Sequence, residues 1–158
     1  MNALAPIDEI ASLPALIDRA ASALSNARSS AEVLEAKEMA SFAYDAAKRT
    51  ARLAKAKNAH DELIGAAHRA QAHALEIEAQ AKHRLADEYD AAQERGEVGK
   101  SGVRTDLVPA GNEVVPTAAD LGLSRKDIHE ARIIRDAEKA EPGIIRRVLD
   151  EKLEAREE

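Results

Sequence analysis

The chain has 158 residues and carries 23 Lys+Arg against 29 Asp+Glu, a net charge of −6. Aromatics make up 2% and charged residues 33%, which does not fit a large globular core around a buried substrate pocket. The absence of cysteine excludes disulfides, zinc–thiolate sites and cysteine nucleophiles, and the acidic balance lacks the basic footprint usual for nucleic-acid binders.

Apolar residues reach 45%, and much of that is alanine. Alanine is the strongest helix former and buries little surface per residue, so the expected architecture is all-α, with long Ala-rich helices touching through narrow seams. Residues 1–7 lack the basic and apolar regions of a signal peptide, and no apolar run approaches the roughly 18 residues of a membrane span. A cytoplasmic protein without a membrane partner is expected.

In chain order, a first helix is predicted over 12–24, with Pro14 in its first turn and Leu13, Leu16, Ile17, Ala20 and Leu24 on one apolar stripe. Ser25 and Asn26 break it. Ser29 with Glu32 forms a capping-box pattern that starts a second helix. Residues 30–95 contain no proline and one glycine, Gly65. A single helix over this stretch would be roughly 100 Å long, at about 1.5 Å per residue.

Two seams run along its first half. One is Val33, Ala36, Ala40, Ala43/Tyr44, Ala47, Ala51 and Ala54; the other is Met39, Phe42, Ala46 and Leu53. Two seams imply two neighbours, as in a bundle. The second half carries a line of Leu63, Ala67, Ala70, Ala74, Ile77 and Ala81, flanked by Ile64, Leu75, Leu85, Tyr89 and Ala92. Near Asn58 the basic run Lys48, Arg49, Arg52, Lys55, Lys57 resembles a helix end, and Asp61 with Glu62 resembles a new start. Continuity is preferred, because no residues are spare for a turn; a kink or helical hairpin is the alternative. One straight helix, as in a coiled coil, cannot satisfy these seams, so a homo-oligomer is expected; a folded-back hairpin would remove that argument.

The predicted organisation is a long-helix oligomerisation region over 1–95, a Gly/Pro-rich flexible linker over 96–116, and a small helix-turn-helix-like unit over 117–158. In the last, Ala118 stands four residues before Gly122, and Leu121, Leu123 and Ile128 take apolar positions. Gly122 permits the left-handed turn and Ser124 caps the second helix. Pro116 limits the first helix to little more than one turn. A second helix over 125–139 would present Arg125, Lys126 and His129 to the major groove, with Arg132 and Arg135 nearer the backbone. A last helix after Pro142 has an apolar face of Ile144, Ile145, Val148, Leu149 and Leu153, and Arg146 and Arg147 are further phosphate contacts. This unit holds 9 bases against 11 acids, a net of −2, which fits a helical packing module as well as a DNA binder.

The order of a charged Ala-rich helical region, a Gly/Pro linker, then DLGLSRKDIHEAR and DAEKAEPGIIRRVLD resembles a family of helical proteins encoded by phages and prophages of alphaproteobacteria. Their tails are similar to the helix-turn-helix of ParB/KorB-type partition proteins. The resemblance covers the chain from about Leu13 onward and implies a DNA-linked role. The nuclease-like N-terminal domain of true partition proteins is absent, so nucleotide-driven clamping is not implied.

His60, His68, His73 and His83 show no i, i+4 pairing that would put two metal ligands on one face, and His83 with Asp87 is a single pair. No metal, cofactor or catalytic constellation is expected, and hence no enzyme. Lys48, Arg52 and Lys55 fall within about 60° on a helical wheel, at roughly 100° per residue. That makes a second phosphate-contacting stripe, although one stripe without aromatics also fits a solvated face. The expected function is a DNA-binding protein, regulatory or partition-like, that oligomerises through its long helices. The alternative is a helical inhibitor, adaptor or assembly factor that binds a host or phage protein and no DNA.

Overall fold

The structure, a computed structural model, describes residues 6–98 and 122–157. Among them are five helices and no strand: α1 (Pro6–Asn26), α2 (Ser30–Ala56), α3 (Asp61–Glu94), α4 (Arg125–Ala140) and α5 (Ile144–Glu157). The first three form an antiparallel bundle, and α4 and α5 pack on α3. No helix among the described residues is long and apolar enough to cross a membrane.

α1 begins six residues before the predicted start, so Pro14 lies inside it and not in its first turn. The ring removes one intrahelical hydrogen bond, yet Leu13, Ile17 and Ala20 are 2%, 5% and 0% exposed and hold the helix on the bundle. α2 starts as predicted: Ser29 is extended and its Oγ accepts from the Glu32 N–H at 3.2 Å. Glu32 reaches one residue further than in a capping box and accepts from the Arg28 N–H at 2.5 Å. Across the bundle, the Arg84 guanidinium donates to the carbonyls of Leu24 (2.9 Å) and Ala27. It thereby adds hydrogen bonds to carbonyls at and just past the end of α1, a role usually left to water or a cap residue.

The long stretch is a helical hairpin and not one helix. Asn58 takes the left-handed conformation (φ 52°), the Ala59 N–H donates to Ala54 O at 2.9 Å, and the Asn58 N–H donates to Lys55 O at 3.1 Å. This pair of bonds is a Schellman motif, with asparagine where glycine is usual. Residues 57–60 therefore suffice for a reversal. The same motif ends α3, where Gly96 (φ 75°) precedes a bond from the Glu97 N–H to Ala92 O at 2.9 Å.

Hairpin closure buries the first predicted seam. Val33, Ala36, Ala40, Ala43, Ala47 and Ala54 are all 0% exposed, facing a line on α3 that includes Ala67, Gln71, Ala74, Ile77 and Ala81. Two apolar clusters result. Ile17, Ala20, Ala40, Ala43, Ala74 and Ile77 join α1, α2 and α3. Ala27, Val33, Ala81, Leu85, Tyr89 and Ala92 meet Val98, Leu123 and Ile128, so the C-terminal helices share a core with the bundle. The boundary between long-helix region and C-terminal unit is thus not a break in packing. Predicted linker residues 99–116 lie outside the described residues, as do Ala118, Leu121 and the rest of the first helix of the predicted motif.

Candidate nucleic-acid interface

Gly122 (φ 76°) makes the left-handed turn its sequence position demands. Ser124 then closes a full capping box on α4: its Oγ accepts from the Asp127 N–H at 3.0 Å, and Asp127 Oδ2 accepts from the Ser124 N–H at 2.9 Å. Hydrogen bonds from Ser124 hold the Asp127 carboxyl below the usual carboxylate range. Leu123, Ile128 and Ala131 are buried and pin one face of the helix to α3.

The five predicted contact residues separate into two groups. Arg125, Lys126 and His129 are exposed on the outer face, where Ile133 is also 54% exposed. Arg132 and Arg135 instead turn onto α3. Arg132 donates to Asp90 Oδ1 through Nε at 3.0 Å and Nη2 at 2.5 Å, and Arg135 Nη1 donates to Asp90 Oδ2 at 2.5 Å. The Arg132 guanidinium also lies 5.6 Å from the centre of the Tyr89 ring. Lys139 pairs with Asp87 at 2.9 Å and Glu130 with Lys82 at 3.7 Å. Arg146 and Arg147, the other predicted phosphate contacts, pair with Glu76 and Glu141. Arg132 and Arg135 therefore tie α4 to α3, whereas Arg146 and Arg147 form exposed pairs that contribute little.

Burial alone would raise the Asp90 carboxyl, but hydrogen bonds and charge from Arg132 and Arg135 outweigh it and keep it low. Asp90→Asn should destabilise the protein by about 1–2 kcal/mol at neutral pH, between an exposed pair and a buried one. A carboxyl depressed in the folded state contributes stability above its unfolded range, near pH 4, and loses it as pH falls through the folded value. Wild type and variant should converge in urea unfolding performed below about pH 3. A difference that persists there would place the effect in packing and not in charge.

The second basic stripe is exposed as predicted. Lys48, Arg52 and Lys55, with Arg49, are exposed on α2, Lys57 is exposed at its C-cap, and Lys48 sits 6.0 Å from the Tyr44 ring centre. Burial, then the charges of Arg156 and Lys55, lower the His68 imidazole. His83 pairs with Asp87 at 3.3 Å, and no cluster of three metal-ligating side chains occurs among the described residues. No family model, curated protein or solved structure matches the chain.

Proposed function

We propose that this is a DNA-binding protein of phage or prophage type, regulatory or partition-like, that reads duplex DNA with the first turns of α4 and self-associates through its long helices. The observation that carries this is the charge on the outer edge of α4. Both acids of its first two turns are engaged, Asp127 in the cap and Glu130 with Lys82 and Lys126. Arg125, Lys126 and His129 are left at the positive end of the helix dipole, the end that inserts first in helix-turn-helix docking. Exposed Ile133, two turns in, supplies an apolar contact of the kind that meets a thymine methyl group. The α2 stripe suits DNA less well, because Glu35, Glu38 and Asp45 occupy the same outer face and repel phosphate.

Fluorescence anisotropy with labelled duplex over a salt series tests the proposal. Arg125→Ala and Lys126→Ala should leave helicity unchanged. A residue that reads a base edge should cost about 1–3 kcal/mol at one base position, whereas a phosphate contact should weaken all sequences and flatten the salt slope by about one. Unchanged affinity in both variants would remove α4 as the reading helix. The second reading, an interaction factor without a DNA ligand, draws on Phe42, which is 65% exposed on α2. Failure of wild type to bind any duplex at low salt selects it.

A further inference from the structure

Among the described residues the second seam of α2 is only partly covered: Met39 packs against the α1–α2–α3 cluster, and Phe42, Ala46 and Arg49 share a groove with Ser12 and Leu13 of α1. The seam positions Met39, Phe42, Ala46, Arg49, Leu53 and Ala56 alternate steps of three and four residues, the spacing of a coiled-coil seam. α1 and α3 cover the first seam; on the second, Phe42 stays 65% and Leu53 37% exposed. The outer face is also divided by charge. Glu35, Glu38 and Asp45 stand toward its N-terminal end, and Lys48, Arg49, Arg52 and Lys55 toward its C-terminal end. Among the described residues, Asp45, Arg49 and Arg52 have no ion-pair partner.

An acidic half followed by a basic half on one helix face is complementary to itself when reversed. We infer that this face of α2 is the surface on which a second copy of the chain docks, with the two α2 helices antiparallel. A two-fold axis between Ala46 and Arg49 sets Phe42 opposite Leu53 of the second copy, Met39 opposite Ala56, and Ala46 opposite Arg49. It also brings Asp45 beside Arg52, a pair that occurs twice. Such a closed isologous contact uses the same patch on both partners. The basic stripe is then assigned to self-association. The inference rests on the oligomerisation half of the proposed function and is independent of the DNA half.

Charge reversal in separate chains tests it, because a symmetric contact fails in each chain alone and returns in the mixture. One variant is Asp45→Arg; the other is Arg52→Asp. Both side chains are exposed, so circular dichroism should match wild type. In sedimentation equilibrium at micromolar concentration, wild type should show twice the 17.0 kDa chain mass. Each variant alone should show a single chain, and an equimolar mixture should recover the doubled mass. Variants that stay dimeric alone, or a mixture that stays monomeric, would overturn this face while leaving self-association in place. A monomeric wild type would overturn both.

Discussion

Replacing Leu85 with alanine should lower the unfolding free energy by about 2–5 kcal/mol, the range for truncating a large side chain in a well-packed core. Leu85 is 3% exposed and stands where α2, α3 and the start of α4 meet, in contact range of Val33, Leu123 and Ile128. In a core built mostly from alanine, a few large side chains supply most of the buried apolar area, so each truncation removes a large share. Urea unfolding followed by circular dichroism measures the loss. The amides of α4 should also exchange with deuterium sooner than those of α2, since α4 depends on this cluster for its place on α3. A loss under about 1 kcal/mol would show that this region is loosely packed.

Enlarging the alanine seam should be harmful for the opposite reason. Ala43→Leu adds three carbons at a position that is 0% exposed, inside the cluster of Ile17, Ala20, Ala74 and Ile77. Leucine is a good helix former and more apolar than alanine, so propensity and hydrophobicity both favour the change. Overpacking opposes it at about 1–3 kcal/mol, because the helices must separate or the side chain must leave its rotamer. The control is Ala155→Leu, on an exposed position of α5, which should stay within about 0.5 kcal/mol of wild type. Thermal denaturation of the two variants side by side separates crowding from propensity. Equal melting temperatures would mean that the seam is not the close contact between helices.

The same two positions indicate what could be read from the chain beforehand. The seam from Val33 to Ala54 was visible because helical periodicity is a local property, and every alanine in it follows steps of three and four. Ser29, Gly122 and Ser124 were visible because caps and left-handed turns have strong residue preferences. The hairpin at Asn58 was harder, since its Schellman motif uses asparagine and no glycine or proline marks it. With Asn58 left-handed, four residues are enough for a turn. The fate of Arg132 and Arg135 could not be read at all. Their partner, Asp90, lies 42 and 45 residues earlier, and nothing in the spacing of either segment announces the contact. Surface arginines that bind DNA and arginines that bind a neighbouring helix look alike in sequence. Only packing separates Arg125 from Arg132.

DNA recognition by the outer edge of α4 is tested most directly by selecting bound sequences from a pool of random duplexes, with wild type and with Arg125→Ala combined with His129→Ala. Wild type should enrich a defined site, and the proposed pairing of copies through α2 predicts that this site contains two related halves. The double variant should keep its helical content and lose the preference at the bases those residues contact. If wild type enriches no sequence at low salt, or if the double variant enriches the same site to the same degree, α4 is not a DNA-reading helix.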